Sequence, residues 1–464
     1  MIRPALMLTL AALATAYAAF AQEGPVVFKK GDRIVFAGNS ITDGGHYHAD
    51  IWLYYMTRFP DRRIDIFNAG IGGDVAGQID ARFEEDIAVK KPTVIALTFG
   101  MNDTRYFEYN QPGAGEMARK AVETSKASYG KIEQKLQALP AVRKILMASS
   151  PFDETVKLPN NRFPGKNDAM QAVAAFQQQS ARANGWTFVD FNRPMTGINQ
   201  REQRKDSLFT ICGRDRIHPD NDGHLIMAYI FLKAQGLAGK KVAAVQVDAT
   251  SRKIVLTENC RLTNLKVEEQ GLRFMYLAES LPYPIDTLKR GWGAERSAAD
   301  ALPLIPFMKE MNDENLRITG LASEEQYQLF IDGKLMGSWT GSEWEQGINL
   351  ATIPFTPQYQ QALAVLHLNE ERWEIERRFR MYAFLQFNVL KPRGLLFNDN
   401  AAALDTLNRL AVNNPFIRGN LDTYNKARLA AVRQAWQSEM DMLISDIYRI
   451  NRPQPHEILV RAKP

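Results

Sequence analysis

Five short apolar segments, separated by longer segments of helical composition, constrain the fold of this chain more than any other feature of its sequence. Apolar strands that alternate with helices are typical of a parallel sheet covered by helices on both faces. Right-handed crossovers then give a three-layer α/β/α sandwich, in which ligands bind beyond the carboxyl ends of the strands. The predicted strands are Asp32–Gly38, Arg63–Ala69, Thr93–Phe99, Lys144–Ser149 and Thr187–Phe191.

The pattern changes to short alternating runs after this α/β segment, and then to long helices. Asp332-Gly333 separates two of the alternating runs and is typical of a two-residue hairpin turn. Near the C-terminus we predict two long helices, Gln358–Leu385 and Leu421–Ile450. The last apolar run, His456–Val460, fits either an added strand or a loose end. The mature chain should therefore have three units, an α/β domain (22–238), a mainly β accessory domain (239–356) and a helical C-terminal region (357–464).

The N-terminal segment has the pattern of a cleavable signal peptide. Arg3 precedes an apolar run that ends in Ala19-Phe20-Ala21, a small-x-small pattern, and the chain then turns polar. The apolar run is shorter than the ~20 residues that a membrane span needs. We therefore expect cleavage after Ala21 and a mature protein, without a transmembrane segment, that is periplasmic or secreted.

Charge and cysteine content add two constraints. A formal net charge of +5 over 464 residues, with no run of five or six like charges, predicts no nucleic-acid partner. An oxidising compartment permits one disulfide between the two cysteines, Cys212 and Cys260. The alternative is two separate buried thiols, because a disulfide requires the two Cα atoms to be close together.

Two motifs at the ligand-binding edge carry groups suited to nucleophilic catalysis. Ser40 follows Gly38-Asn39 just beyond the first strand, and its hydroxyl needs a base to become a nucleophile. Asp215 and His218 stand three residues apart, so the carboxylate can hold one imidazole nitrogen while the other faces the serine. Taken alone, Ser40 also fits a helix cap, and His218 fits the cap of a helix that begins at Pro219.

Two further motifs offer hydrogen-bond donors at the same edge. Closely spaced glycines in the segment from Asn68 to Asp74 let the backbone approach a ligand and aim an N–H group at a developing negative oxygen. Asn102, in Gly100-Met101-Asn102-Asp103, offers a side-chain amide. Each motif alone also fits a tight turn, but together the four supply a nucleophile, a base, an orienting acid and two donors.

The four motifs, in this order over residues 30 to 235, resemble the SGNH (GDSL) hydrolase family. The resemblance implies a flavodoxin-like hydrolase domain that works through an acyl-enzyme, without a metal or other cofactor. It implies that Ser40 is the nucleophile, His218 the base and Asp215 the orienting acid. It also implies an oxyanion hole formed by the N–H groups of Ser40 and Gly73 and the side chain of Asn102.

One position departs from the family pattern, and three others are candidates for substrate contact. Asn39 replaces the usual aspartate of Gly-Asp-Ser, which keeps the size and removes the charge, so we expect the geometry to survive. His46, Tyr47 and His48 follow the serine and are predicted to line the mouth of the site. Two aromatic residues of the β unit fit either stacking on a sugar or core packing and interdomain contact, namely Tyr283 and Trp292.

The predicted function is removal of O-acyl groups, chiefly O-acetyl, from an extracellular or periplasmic glycan, because exported members of this family commonly deacylate polysaccharides. A lipid ester is the alternative substrate. A glycosidase on the same fold would need two carboxylates flanking a sugar, drawn from Asp43, Asp103 and Asp215. The non-enzymatic alternative is a glycan-binding protein with an inactive hydrolase core. The complete set of serine, histidine and aspartate favours the esterase.

Overall fold

The computed structural model of the chain describes residues 26–268, 271–291 and 294–464. The predicted signal peptide and its cleavage site after Ala21, as well as Trp292, lie outside the described residues. Across those three ranges, every helix is too short or too polar to traverse a lipid bilayer.

The first unit is built on one parallel sheet, in the order β2-β1-β3-β4-β5. Its central strand is buried along its whole length, as a strand covered on both faces must be. The predicted three-layer α/β/α, flavodoxin-like fold is therefore confirmed. The strands are β1 (Arg33–Gly38), β2 (Asp65–Gly70), β3 (Val94–Phe99), β4 (Arg143–Ala148) and β5 (Thr187–Asp190).

Helices cover the two faces because successive strand residues point to opposite sides of the sheet. Val35, Ile95 and Leu146 belong to the core on one face. Ile34 and Ala96 belong to the core on the other face. All five strands run in the same direction, so their carboxyl ends meet at one edge. The helices are α1 (Ser40–Asp43), α2 (Tyr47–Arg58), α3 (Ala76–Ala81), α4 (Ala114–Gln137), α5 (Lys166–Asn184), α6 (Asn192–Glu202) and α7 (Asn221–Ala234).

The second unit packs two sheets around a separate apolar core. The predicted hairpin is present, with Asp332 (φ +49°) and Gly333 (φ +76°) as its two-residue loop. Its elements are β6 (Ala243–Asp248), β7 (Lys253–Glu258), β8 (Cys260–Glu268), β9 (Gly271–Ala278), α8 (Phe307–Met311), β10 (Glu314–Thr319), β11 (Gln326–Ile331), β12 (Lys334–Thr340), α9 (Gly341–Gln346) and β13 (Ile348–Asn349).

Along the chain, the C-terminal helices are inserted between two strands of the β unit. A last strand, β14 (His456–Ala462), returns to that unit and pairs between β11 and β9. The first sheet of the unit is β13-β10-β6-β7, and the second is β12-β11-β14-β9-β8. The helices are α10 (Pro357–Phe384), which continues as a π-helical segment over Leu385–Leu390, then α11 (Ala401–Ala411), α12 (Pro415–Ala427) and α13 (Ala430–Ile450).

One helix prediction is right and the other is wrong. α10 matches the predicted Gln358–Leu385 to within one residue at either end. The single helix predicted over Leu421–Ile450 is instead two helices, α12 and α13, which separate at Leu429 in an extended conformation (φ −88°, ψ 115°). No glycine or proline marks this break, so the sequence pattern does not reveal it.

A loop of the β unit packs on the α/β domain through Tyr283. Its side chain is buried, and its hydroxyl donates to the Asp50 carboxylate at 2.9 Å. Phe307 lies against the Tyr283 ring, with ring centroids 5.1 Å apart. Tyr283 is therefore an interdomain contact and does not face a sugar.

The two cysteines do not form the disulfide that an oxidising compartment would permit. Both are free thiols, and each is buried in the core of a different unit. Cys212 Sγ lies 3.4 Å from the Asn199 side-chain amide. The Cys260 thiol donates to the carbonyl of Ala244 at 3.4 Å. The alternative, two separate buried thiols, is the one found.

Glu314 joins both sheets of the β unit to the helical region. Its Oε1 accepts hydrogen bonds from the Tyr276 hydroxyl (2.9 Å) and the Gln358 amide (3.0 Å). Its Oε2 has no hydrogen-bond partner among the described residues. The side chain is almost fully buried, and this burial raises its pKa to about 7.

Replacing Glu314 by glutamine should flatten the pH dependence of stability. Folded protein holds a proton on Glu314 between pH 4.5 and about 7, where the unfolded chain has released it. The free energy of unfolding therefore falls as pH rises through this window, by on the order of 3 kcal/mol from this group. Urea unfolding at several pH values should show that Glu314→Gln lacks this fall.

The matched control for this experiment is Glu325→Gln, which changes an exposed glutamate of the same unit. We expect its unfolding free energy to follow the wild-type pH profile. Parallel profiles for wild type and Glu314→Gln would contradict the assignment of a raised pKa to Glu314.

Candidate active site

The turn that follows β1, residues 38–43, places Ser40 at the carboxyl edge of the sheet. A Cβ atom at Gly38 would lie 2.3 Å from Thr42 Oγ1, so only glycine fits there. The Asn39 side chain accepts the N–H of Ile41 at 3.1 Å and so caps α1. Ser40 is the first residue of α1, and its own N–H has no partner within the helix. We call this segment the serine turn.

Ser40, His218 and Asp215 lie in one hydrogen-bonded line. Ser40 Oγ is 2.8 Å from His218 Nε2, and His218 Nδ1 is 2.5 Å from Asp215 Oδ2. The other carboxylate oxygen of Asp215 accepts the backbone N–H groups of Ile217 (2.9 Å) and His218 (3.0 Å). The His218 side chain is 48% exposed, so the line opens to solvent.

The charge state of Asp215 suits it to orient an imidazole. Partial burial alone would raise the pKa of its carboxyl group. The hydrogen bond and charge of His218, together with the two backbone N–H groups, outweigh this effect and lower the pKa below its ordinary value. Asp215 is therefore a carboxylate at neutral pH and can stabilise a positively charged His218.

Arg216, between Asp215 and His218 in the sequence, uses its side chain to hold the turn that carries these two residues. Its backbone is left-handed (φ +69°), and its guanidinium group is buried. That group donates to the carbonyl oxygens of Asp153 (3.0 Å) and Asn160 (2.8 Å), in the loop after β4. In the sequence, only the position of Arg216 inside the Asp-x-x-His motif points to a role at the site.

The glycine-rich segment after β2, residues 70–75, runs beside the serine turn and is called the glycine loop. A Cβ atom at Gly72 would lie 4.0 Å from Ser40 Cβ. The N–H of Gly72 donates to the Asp43 carboxylate at 3.0 Å, which joins the loop to the serine turn. Gly73 is exposed and left-handed (φ +84°). Its N–H donates to no described residue.

The segment after β3, residues 100–105, presents Asn102 at the same edge and is called the asparagine loop. One Nδ2 hydrogen of Asn102 is donated to the Asp74 carbonyl at 2.9 Å. The Asn102 Oδ1 atom accepts the hydroxyl of Tyr106 at 2.6 Å. The buried Asp103 carboxylate accepts the N–H of Ala76 at 3.0 Å. These bonds hold the asparagine loop and the glycine loop in one arrangement.

A buried ion network supports the glycine loop. Arg82 binds Asp74 through Nε at 2.7 Å and Asp86 through Nη1 at 2.6 Å. Burial would raise the pKa of Asp86, but the charges of Arg380, Lys90 and Arg82 hold it well below its ordinary range. Asp86 is therefore ionised, and each charge of the network is paired.

The helical region supplies part of this network. Arg380, on α10, forms two bonds of 2.9 Å to Asp86 and donates from Nε to the carbonyl of Gly70 at 2.8 Å. Asn388, in the π-helical continuation of α10, donates to the Asp74 carboxylate at 3.1 Å. Both residues lie some 300 positions along the chain from their partners, so no local sequence pattern marks them.

His46, Tyr47 and His48 are buried beneath the serine turn and do not line its mouth. The Tyr47 hydroxyl lies 3.0 Å from Thr42 Oγ1, and His48 Nε2 lies 3.0 Å from the Thr42 carbonyl. His46 stacks on Trp373 of α10, with ring centroids 4.1 Å apart. The prediction that these three residues line the mouth is therefore wrong, because His46 and the first residues of α2 pack into the core.

Exposed aromatic side chains lie near the asparagine loop and the glycine loop. Next to Tyr106, Phe107 is 74% exposed and packs edge-on against Phe163 at 5.5 Å. Near the glycine loop, Phe397 is 47% exposed and packs edge-on against Phe387 at 5.6 Å. Phe387 in turn belongs to a small apolar cluster with Ile71 of the glycine loop. The surroundings of the site thus contain apolar as well as polar surface.

Two family models match the chain. The GDSL-like lipase/acylhydrolase family matches residues 36–226, a range that contains the serine turn, both loops and the Asp-x-x-His motif. A family described as the diltiazem deacetylase C-terminal helical domain matches residues 363–452.

Two relatives are informative. A solved structure of a gut microbial diltiazem-metabolizing enzyme is 47% identical, with a TM-score of 0.92, and the match covers 95% of this chain and 99% of that one. The acetylxylan esterase of Geobacillus stearothermophilus is 26% identical over 221 residues, which is 44% of this chain and 94% of the esterase.

Arg380→Met should destabilise the protein strongly, because it removes one of the three cations that pair with the buried Asp86 carboxylate. Breaking a buried ion pair from one side costs about 3–5 kcal/mol. Urea unfolding measures the loss. The control is Arg378→Met, an exposed position on the same helix, which loses only a surface cation–π contact with Trp436 and should stay within about 1 kcal/mol of wild type. Equal stability of the two variants would show that the network does not brace the fold.

Proposed function

The chain belongs to the GDSL-like lipase/acylhydrolase family, and we propose that it is a serine acetylesterase with Ser40 as nucleophile, His218 as base and Asp215 as orienting acid. The observation that carries the proposal is the unbroken line of hydrogen bonds from Ser40 Oγ through the imidazole to the Asp215 carboxylate. Few arrangements other than covalent catalysis need a surface hydroxyl held in this way.

The proposed reaction steps follow from the line of hydrogen bonds that joins Ser40, His218 and Asp215. His218 Nε2 takes the Ser40 proton as Oγ bonds to the ester carbonyl carbon, and the carbonyl electron pair moves onto oxygen. The tetrahedral intermediate collapses, the ester C–O bond breaks, and the imidazolium of His218 gives its proton to the leaving alkoxide oxygen, which departs as the alcohol. Water then attacks the acetyl-enzyme in the same manner, which releases acetate and regenerates Ser40. Asp215 stabilises the imidazolium formed in each half-reaction.

The negative oxygen of each intermediate needs donors, and three groups are proposed for it. The Ser40 N–H lies at the unpartnered start of α1, and the Gly73 N–H donates to no described residue. Asn102 uses one Nδ2 hydrogen on the Asp74 carbonyl and keeps the second. Loss of one such donor typically costs about 3–4 kcal/mol of transition-state stabilisation.

We propose an O-acetylated glycan as the first candidate substrate. The predicted signal peptide supports a substrate outside the cytoplasm, where such polymers occur. The similarity to an acetylxylan esterase supports it as well. The half-exposed Ser40–His218–Asp215 line is compatible with a bulky substrate, because solvent reaches it without crossing a deep pocket.

The second candidate is the acetyl ester of a small, partly apolar molecule of the diltiazem kind. Two observations favour it. The relative that metabolizes diltiazem matches nearly the whole chain, including the helical region. Exposed Phe107 and Phe397, near the asparagine loop and the glycine loop, can bury an apolar alcohol group.

Ser40→Ala should abolish acetate release from every substrate. We expect kcat to fall by at least roughly 10⁴-fold, because the nucleophile and the base act as one unit. The measurement is acetate release from acetylated xylan, from diltiazem and from a chromogenic acetyl ester. The matched control is Ser150→Ala, which removes a buried hydroxyl just beyond β4 that has no hydrogen-bond partner among the described residues. This control should retain wild-type activity.

The substrate panel separates the candidates. Turnover of acetylated xylan but not of diltiazem supports the glycan, and the reverse supports the small ester. Binding of xylan without acetate release from any ester would favour a glycan-binding protein. Ser40→Ala protein with wild-type activity on any of the three esters would refute the nucleophile assignment.

A further inference from the structure

We propose that Tyr106 is a positioning residue that fixes the amide plane of Asn102 for transition-state binding. The proposal rests on the oxyanion role proposed for Asn102 and deepens it. Tyr106 stands four residues after Asn102, outside the four motifs found in the sequence. Its hydroxyl reaches back to Asn102 Oδ1 at 2.6 Å.

Two contacts define the orientation of the Asn102 amide. The Asp74 carbonyl can only accept, so Nδ2 and not Oδ1 must face it. One contact still leaves the amide free to rock about that bond. The Tyr106 hydroxyl holds the opposite end, and two fixed ends determine the plane. The second Nδ2 hydrogen, which is the one available to an oxyanion, then points in one fixed direction.

Tyr106 is suited to act as a donor at neutral pH. Burial of the ring raises the pKa of its hydroxyl above the ordinary value, and the nearby charges of Asp215 and Asp103 raise it further. The hydroxyl therefore keeps its proton. The ring itself packs edge-on against Phe163, with centroids 5.9 Å apart, which limits its rotation.

A buried lysine holds both the Tyr106 ring and the asparagine loop. Lys166, at the start of α5, is fully buried, and its Nζ lies 4.0 Å from the centroid of the Tyr106 ring. The same ammonium group donates to the Met101 carbonyl at 2.6 Å and to Thr104 Oγ1 at 2.8 Å. No carboxylate forms a salt bridge with it in the part of the chain that the structure describes.

The burial of Lys166 costs free energy, and its contacts indicate which part of the site it supports. A buried cation without a paired carboxylate is unfavourable, and burial lowers the pKa of Lys166 to about 7. The hydrogen bonds of its ammonium group all go to the asparagine loop, to Met101, Thr104 and Arg105. The lysine therefore supports the backbone that carries Asn102 and the ring that orients it.

Tyr106→Phe tests the proposal, because it removes the hydroxyl and keeps the ring on Lys166. The oxyanion forms in the tetrahedral intermediates and their transition states and is absent from the bound ester, so kcat should fall roughly tenfold while KM changes little. The matched control is Tyr109→Phe. The Tyr109 hydroxyl is buried and has no hydrogen-bond partner among the described residues, and its loss should change kcat by less than about twofold.

A double-mutant cycle with Asn102→Ala shows whether Tyr106 acts through Asn102. In the Asn102→Ala background, Tyr106→Phe should have almost no further effect on kcat. A merely structural role would give the same loss in both backgrounds, and this result would overturn the proposal. So would a Tyr106→Phe enzyme with the kcat of Tyr109→Phe.

The same cycle distinguishes this proposal from the proposed function. Asn102→Ala alone should lower kcat by roughly 10²–10³-fold. If it does not, the oxyanion hole proposed above is wrong, and Tyr106 has nothing to position. If it does, and the Tyr106→Phe loss is absent or independent of Asn102, only the positioning role fails.

Discussion

The buried network that joins Arg380, Asp86, Arg82 and Asp74 is the interaction on which the rest of the site depends. Its charges are paired inside the protein, so each holds its neighbour in place. Through Arg380 the network ties α10 to the carbonyl of Gly70, where the glycine loop begins. The helical region is therefore part of the scaffold of the site, although it contributes no residue to the Ser40–His218–Asp215 line.

The carboxylates near this edge divide into two kinds by their surroundings. Asp43 accepts the N–H of Gly72, and Asp103 accepts those of Gly100 and Ala76, which makes both carboxylates parts of the backbone scaffold. Asp215 is half-exposed and bonded to an imidazole. This division favours the esterase over a glycosidase, because a glycosidase needs two carboxylates free to face a sugar.

Much of this architecture could be predicted because it is encoded locally. The five strands, the two-residue hairpin turn and α10 each leave a periodic or turn pattern within a few residues. The serine and the Asp-x-x-His motif were predictable for the same reason, since each follows a strand or precedes a helix. Other predictions failed. The helical sequence pattern shows no sign of the break at Leu429, and His46, Tyr47 and His48, at and just before the start of α2, lie in the core.

The sequence by itself determined the order of strands and helices, the edge at which the motifs meet and the residue types available there. Only the tertiary structure decided that Arg216, Arg380, Asn388 and Tyr106 hold those motifs in place, and that the two cysteines lie in separate cores. The physical reason is the separation along the sequence between the residues in contact. Strand and turn patterns arise from contacts over a few residues, whereas contacts such as that between Arg380 and Gly70 join elements about 310 residues apart and leave no local pattern.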